Sequence, residues 1–113
     1  MIIWIASYPK SGNTWVRSFL TAYYFCENGI FDINKLNLIE DYPNKQFFKE
    51  KVKQGEIHKH WETSQKDIRD QKKVKFLKTH NSLITAFGND FTKPEYTLGV
   101  IYVIRDPRNV ITS

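Results

Sequence analysis

The sequence predicts an α/β fold, a parallel sheet flanked by helices, on three observations. Short strand-like runs at residues 2–6, 74–79 and 97–104, the first nearly all apolar, end in turn residues. Strands buried inside a parallel sheet look like this. Helical patterns lie between the runs, so strand and helix alternate along the chain. Each run is followed at once by polar, chemistry-bearing residues, at the strand ends where such sheets bind ligands.

The first run, IIWIA, is nearly continuous and short, as a central strand should be. After the turn SYPKSGNT, Val16, Phe19, Leu20, Tyr23 and Tyr24 recur at helical spacing. They predict a helix over residues 15–28, with Gly29 as its C-cap. Residues 30–60 alternate short apolar clusters with charge and predict a loop with one or two short helices. ETSQKDIRDQKK, residues 62–73, predicts an exposed helix. VKFLKT is the second strand, and residues 80–96 predict loop or a short helical turn. TLGVIYVI is the third strand. It leads into RDPRNVITS, where Asp106 is placed to cap a helix that starts at Pro107. There are no repeats and no low-complexity linker, so residues 1–113 form a single domain. Three strands make a small sheet, and a last helix of about two turns covers little of it. The expectation is the N-terminal portion of a larger, apparently truncated domain.

Hydrophobic residues make up 41% and aromatics 15%, enough for a packed core and too much for a disordered chain. The net charge of +5 suits an anionic partner, either nucleic acid or a phosphorylated small molecule, or is ordinary solubility charge. The lone Cys26 excludes an internal disulfide and lies in an apolar pattern, as a core filler does. A reducing compartment fits. The N-terminal apolar run lacks a basic flank and is too short for a signal peptide or a membrane span. The expectation is a soluble, cytoplasmic chain with no membrane partner. His58 and His60 could share one face of a strand, but no cysteine or acidic cluster completes a metal site, and none is expected.

The turn between the first strand and the first helix presents backbone N–H groups at the positive end of a helix dipole. That is an anion site, suited to a phosphate or sulfate group. Gly12 lets the backbone approach closely, Ser11, Asn13 and Thr14 add donors, and Lys10 adds a mobile charge. A plain turn is the alternative, because Pro-Lys-Ser-Gly also turns well. The Walker A order is absent, since Lys10 precedes the glycine.

The string YPKSGNTWVRSFL resembles the 5′-phosphosulfate loop of sulfotransferases that use 3′-phosphoadenosine 5′-phosphosulfate (PAPS). FLKTH resembles the strand end that carries that family's catalytic histidine, and YVIRDPRNVITS resembles its 3′-phosphate motif. In that motif an arginine and a serine eight positions later bind the phosphate, and Arg105 and Ser113 have this spacing. The resemblance implies a P-loop-like nucleotide-binding core. It implies that Ser11, Gly12, Asn13 and Thr14 cradle the 5′-phosphate. Lys10 would contact the oxygen bridging phosphate and sulfur, where charge develops. His80 would be the general base, assisted by Lys78; a strand-end histidine satisfied by backbone is the alternative. Trp15 would pack on the adenine, or else serve the core. Arg108 could assist Arg105, which could instead form a salt bridge to Asp106 or Glu95. PAPS is the implied co-substrate, without a metal, and the acceptor is a hydroxyl or amine on a small molecule or glycan. Members of the family usually run to more than twice this length, so the incomplete sheet could self-associate. Other readings are a non-catalytic anion-binding remnant, a nucleotide kinase, and an RNA-binding module. The last is weakened by scattered lysines and the lack of an aromatic RNA-binding motif, and no nucleic-acid partner is expected.

Overall fold

A computed structural model of the chain describes residues 1–48, 53 and 55–112. In chain order the elements are β1 (Ile2–Ser7), α1 (Asn13–Phe25), β2 (Glu40–Asp41), α2 (Trp61–Asp70), β3 (Lys75–Thr79), β4 (Thr85–Ala86), β5 (Asn89–Asp90), β6 (Thr97–Val103) and α3 (Pro107–Thr112). Short 3₁₀ turns at Glu27–Gly29, Ile33–Leu38, Lys45–Phe47 and Ile57–His60 fill the connections.

Four strands pair in the order β2-β3-β1-β6, and every pair is parallel. β1 is central because Ile2, Trp4 and Ile5 are all buried, and only an inner strand buries both faces. Ile3 pairs with Phe76 on one side and Gly99 on the other. Consecutive residues of a strand point to opposite faces. Phe76 meets Tyr24 of α1 at 5.3 Å between ring centroids, whereas its neighbour Leu77 belongs to the core beneath α2. The two helices therefore cover opposite faces of the sheet.

That core is built from Ile2, Trp4, Tyr42, Trp61, Ile68, Leu77 and Phe91. The Trp4 ring lies 5.3 Å from Tyr42 and 5.1 Å from Phe91, within the range of favourable aromatic pairs. Its indole N–H donates to Thr97 Oγ1 at 2.9 Å, so burial leaves no orphan donor there. Burial pushes the Tyr42 phenol up, and its hydroxyl shares a 2.6 Å hydrogen bond with Ser64.

The three predicted strands and the Asp106 cap are present; the Arg108 N–H donates to Asp106 Oδ1 at 2.9 Å. Four expectations need correction. First, α1 begins at Asn13, ends at Phe25, and buries Asn13, Arg17 and Thr21 rather than its aromatic residues. Arg17 crosses to the Ile39 carbonyl at 2.7 Å, so a long polar side chain packs where an apolar one was expected. Second, Cys26 is only half-buried, and its sulfur accepts the Asp32 N–H at 3.4 Å. Third, the helix at 62–73 is not simply exposed: α2 starts at Trp61 and buries Trp61, Ser64, Gln65 and Ile68 along one stripe. Fourth, three short strands were missed. β2 joins the main sheet within 30–60, and β4–β5 form an antiparallel hairpin within 80–96.

Candidate functional site

The site is assembled where three adjacent strands end. The loop between β1 and α1 turns through two left-handed residues, Lys10 at φ 62° and Gly12 at φ 97°. Gly12 caps α1, and its carbonyl accepts from Val16 N–H at 3.1 Å. A Cβ at Gly12 would meet Val103 Cγ1 at 3.8 Å, an ordinary contact, so the backbone conformation and not space calls for glycine. The N–H groups ahead of Val16 belong to the first turn of α1 and face outward from its positive end.

Two further strand ends close on this loop. His80 follows β3, and its Nδ1 lies 2.8 Å from the Ser7 carbonyl oxygen at the end of β1. Arg105 follows β6, and its Nη1 donates to the Lys10 carbonyl at 3.1 Å. Lys10, Lys78, His80 and Arg105 line a single cavity of about 370 Å³. Gly12, Asn13 and Thr14 complete its wall. Among the described residues no carboxylate lines it. Lys78 and His80 enter the cavity together, as residues two apart on an extended chain should.

Asp41 lies behind the cavity. Its carboxylate is 3.6 Å from Lys78 Nζ and 3.7 Å from Arg17 Nη1. Arg17 is 7% exposed, so it holds this end of β2 from inside the fold. Asp41 thus neutralises charge and orients Lys78 without entering the cavity.

The other motif residues fall as follows. Ser11 is buried in the loop. Trp15 is 74% exposed and stacks on Phe19 at 6.3 Å, which removes the core alternative and leaves its ring available to a planar ligand. Arg105 pairs with neither suggested carboxylate, since Glu95 engages Arg69 at 3.4 Å and Asp106 engages Arg108 at 2.8 Å. The Arg108 contact, with its backbone N–H, holds the Asp106 carboxyl below its ordinary range. Ser113 lies outside the described residues. His58 and His60 sit against aromatic rings, Phe87 at 5.1 Å and Phe48 at 5.8 Å. Among the described residues no three His, Cys, Asp or Glu side chains group to hold a metal.

Ser7, Asp41 and Arg17 support this site; in the sequence Ser7 falls in the strand-end stretch 7–14 without a role of its own, and neither Asp41 nor Arg17 stands out. Ser7 is the last strand residue before the YPKSG turn, and that position was the available signal. Asp41 and Arg17 offer none, because their partners are fixed only by the packing of β2. Among the described residues no helix is long and apolar enough to cross a membrane. The sulfotransferase domain family matches residues 2–113 of the chain. No curated protein and no solved structure matches it.

Proposed function

The chain belongs to the sulfotransferase domain family, and from that premise we propose that it transfers a sulfuryl group from PAPS to a hydroxyl or amine on a small molecule or glycan. The observation that carries this is the convergence of Lys10, Lys78, His80 and Arg105 on one cavity at the start of α1. The donor supplies an activated sulfur on a phosphate leaving group. His80 removes the proton from the acceptor as the acceptor's lone pair attacks sulfur, within the 10²–10⁴-fold range typical of general bases, about 3–5 kcal/mol. The bond from sulfur to the bridging oxygen breaks, and its electron pair stays on that oxygen. Lys10 meets the charge that develops there, and Lys78 adds positive charge beside it. The backbone donors of Ser11 to Thr14, with the Thr14 hydroxyl, hold the 5′-phosphate, while the Asn13 side-chain amide is committed to β1. Arg105, with Ser113, takes the 3′-phosphate, and Trp15 packs on the adenine. The lone Cys26 supports a reducing, cytoplasmic setting.

Nucleotide choice tests this reading. Arg105 gives a 3′-phosphate a charge-assisted partner, a contact of roughly 1.5–3 kcal/mol. The chain should therefore bind 3′-phosphoadenosine 5′-phosphate about tenfold or more tighter than ADP or ATP in calorimetry. Equal or tighter binding of ATP would favour a kinase-like role.

A further inference from the structure

Hydrogen-bond geometry at the end of β1 decides which nitrogen of His80 is free to act. Nδ1 lies 2.8 Å from the Ser7 carbonyl oxygen and 3.4 Å from Ser7 Oγ. A carbonyl oxygen only accepts, so a nitrogen this close to it carries the proton. In the neutral ring the lone pair is then on Nε2. Nε2 makes no hydrogen bond to the described residues, and His80 lines the cavity with Lys10 and Lys78.

Ser7 is itself held. Asn13 Nδ2 lies 3.0 Å from the Ile5 carbonyl and 3.0 Å from Ser7 Oγ. The Ile5 carbonyl can only accept, which identifies the amide atom facing it as nitrogen. Its two hydrogens therefore bridge two points of β1. Both side chains are buried, Ser7 and Asn13 each at 4% exposure, and Asn13 is also the first residue of α1. One amide thus ties the anion-binding turn to the strand end that grips the imidazole.

We propose that Ser7 and Asn13 are positioning residues for His80. Asn13 anchors the Ser7 hydroxyl, and the Ser7 carbonyl and hydroxyl together hold the imidazole as its Nδ1–H tautomer, leaving Nε2 to receive the proton. This rests on the reading of His80 as the general base. In the step itself, the acceptor's O–H or N–H bond breaks and its proton bonds to Nε2. Nδ1 keeps its own proton, and none passes through Ser7. The imidazolium so formed strengthens the Nδ1–H bond to the Ser7 carbonyl, because charge-assisted hydrogen bonds are the stronger kind.

The test is ¹⁵N NMR of His80 in the full chain, labelled at histidine, with turnover measured alongside. With its ring neutral, wild-type His80 should show a protonated Nδ1 and a bare Nε2. Ser7→Ala should lower the Nδ1–H fraction and reduce kcat about tenfold, part of what a general base supplies, while KM for the donor stays within about twofold. Ser7→Thr, which keeps the hydroxyl on a strand-compatible residue, should restore both. A wild-type His80 protonated at Nε2 overturns the proposal, as does a Ser7→Ala chain with unchanged tautomer and unchanged kcat. If His80→Ala keeps full turnover, the general-base reading falls by itself, because the tautomer is measured without any transfer.

Discussion

Lys10 holds a left-handed backbone, φ 62°, two residues before the glycine that would be expected to monopolise such a conformation. For a residue with a Cβ this costs about 1–2 kcal/mol. A glycine there would relieve that cost and remove the ammonium from the cavity. Lys10→Gly should therefore be at least as stable to denaturant as Lys10→Ala, by up to about 1 kcal/mol after glycine's own entropy is counted. Both variants should lose sulfuryl transfer alike. If Lys10→Gly is clearly the less stable of the two, the conformation is not strained. Lys10, Lys78, His80 and Arg105 were legible as candidates because polar residues at or just after the ends of the strands carry the three quoted motifs. The role of Ser7 was not legible. Its partner His80 is 73 residues away, and nothing local to either residue encodes that meeting.

Helix α2 is attached to the segment before β6 by a small charged cluster. Glu62 accepts from Lys93 at 3.0 Å and from the Tyr96 hydroxyl at 3.1 Å. The Lys93 contact first, then Tyr96, holds the Glu62 carboxyl below its ordinary range. Glu62 in return holds the Lys93 ammonium above its own. A lowered carboxyl stabilises the fold above its unfolded pKa and loses that contribution as pH falls through the folded value. A raised ammonium contributes below its unfolded pKa and loses it only in strong alkali. The thermal unfolding midpoint of the wild type should thus fall as pH drops from neutral through the carboxylate range. Glu62→Gln should show a flatter dependence there; an identical dependence would mean the cluster adds nothing. β1 and β6 were readable because a continuous apolar run of five or more residues has few other uses. β2, β4 and β5 are two residues each, too short for any period to declare itself. The face of α1 was misread because helical spacing of aromatics usually marks the buried side. Here Asn13 and Arg17 are drawn inward by backbone carbonyls of β1 and of Ile39, on the chain just before β2.

The radius of gyration is 14.9 Å, larger than the about 13 Å typical of a closed domain of this length. The last strand, β6, is covered on one side only. Leu98, Val100, Tyr102 and Ile104 alternate along and just beyond β6, and all are exposed, Tyr102 at 66%. β6 is also an outer strand of the main sheet. Such an apolar edge invites pairing between copies. The chain should self-associate in light scattering, and Leu98→Thr with Val100→Thr should reduce this while keeping strand propensity. A monomer in both forms would show that the face is tolerated by water. The alternation of strands and helices made the parallel arrangement legible at this scale. The order β2-β3-β1-β6 was not, because pairing partners are chosen by three-dimensional fit. That order has a kinetic consequence. The walls of the cavity lie 73 residues apart at Ser7 and His80, and 95 apart at Lys10 and Arg105. Long loops must close before such walls meet, which makes this topology slow to fold. An anion that fits only the finished cavity finds little to grip in the folding transition state. It therefore lengthens the lifetime of the native chain and leaves the refolding rate nearly as it was.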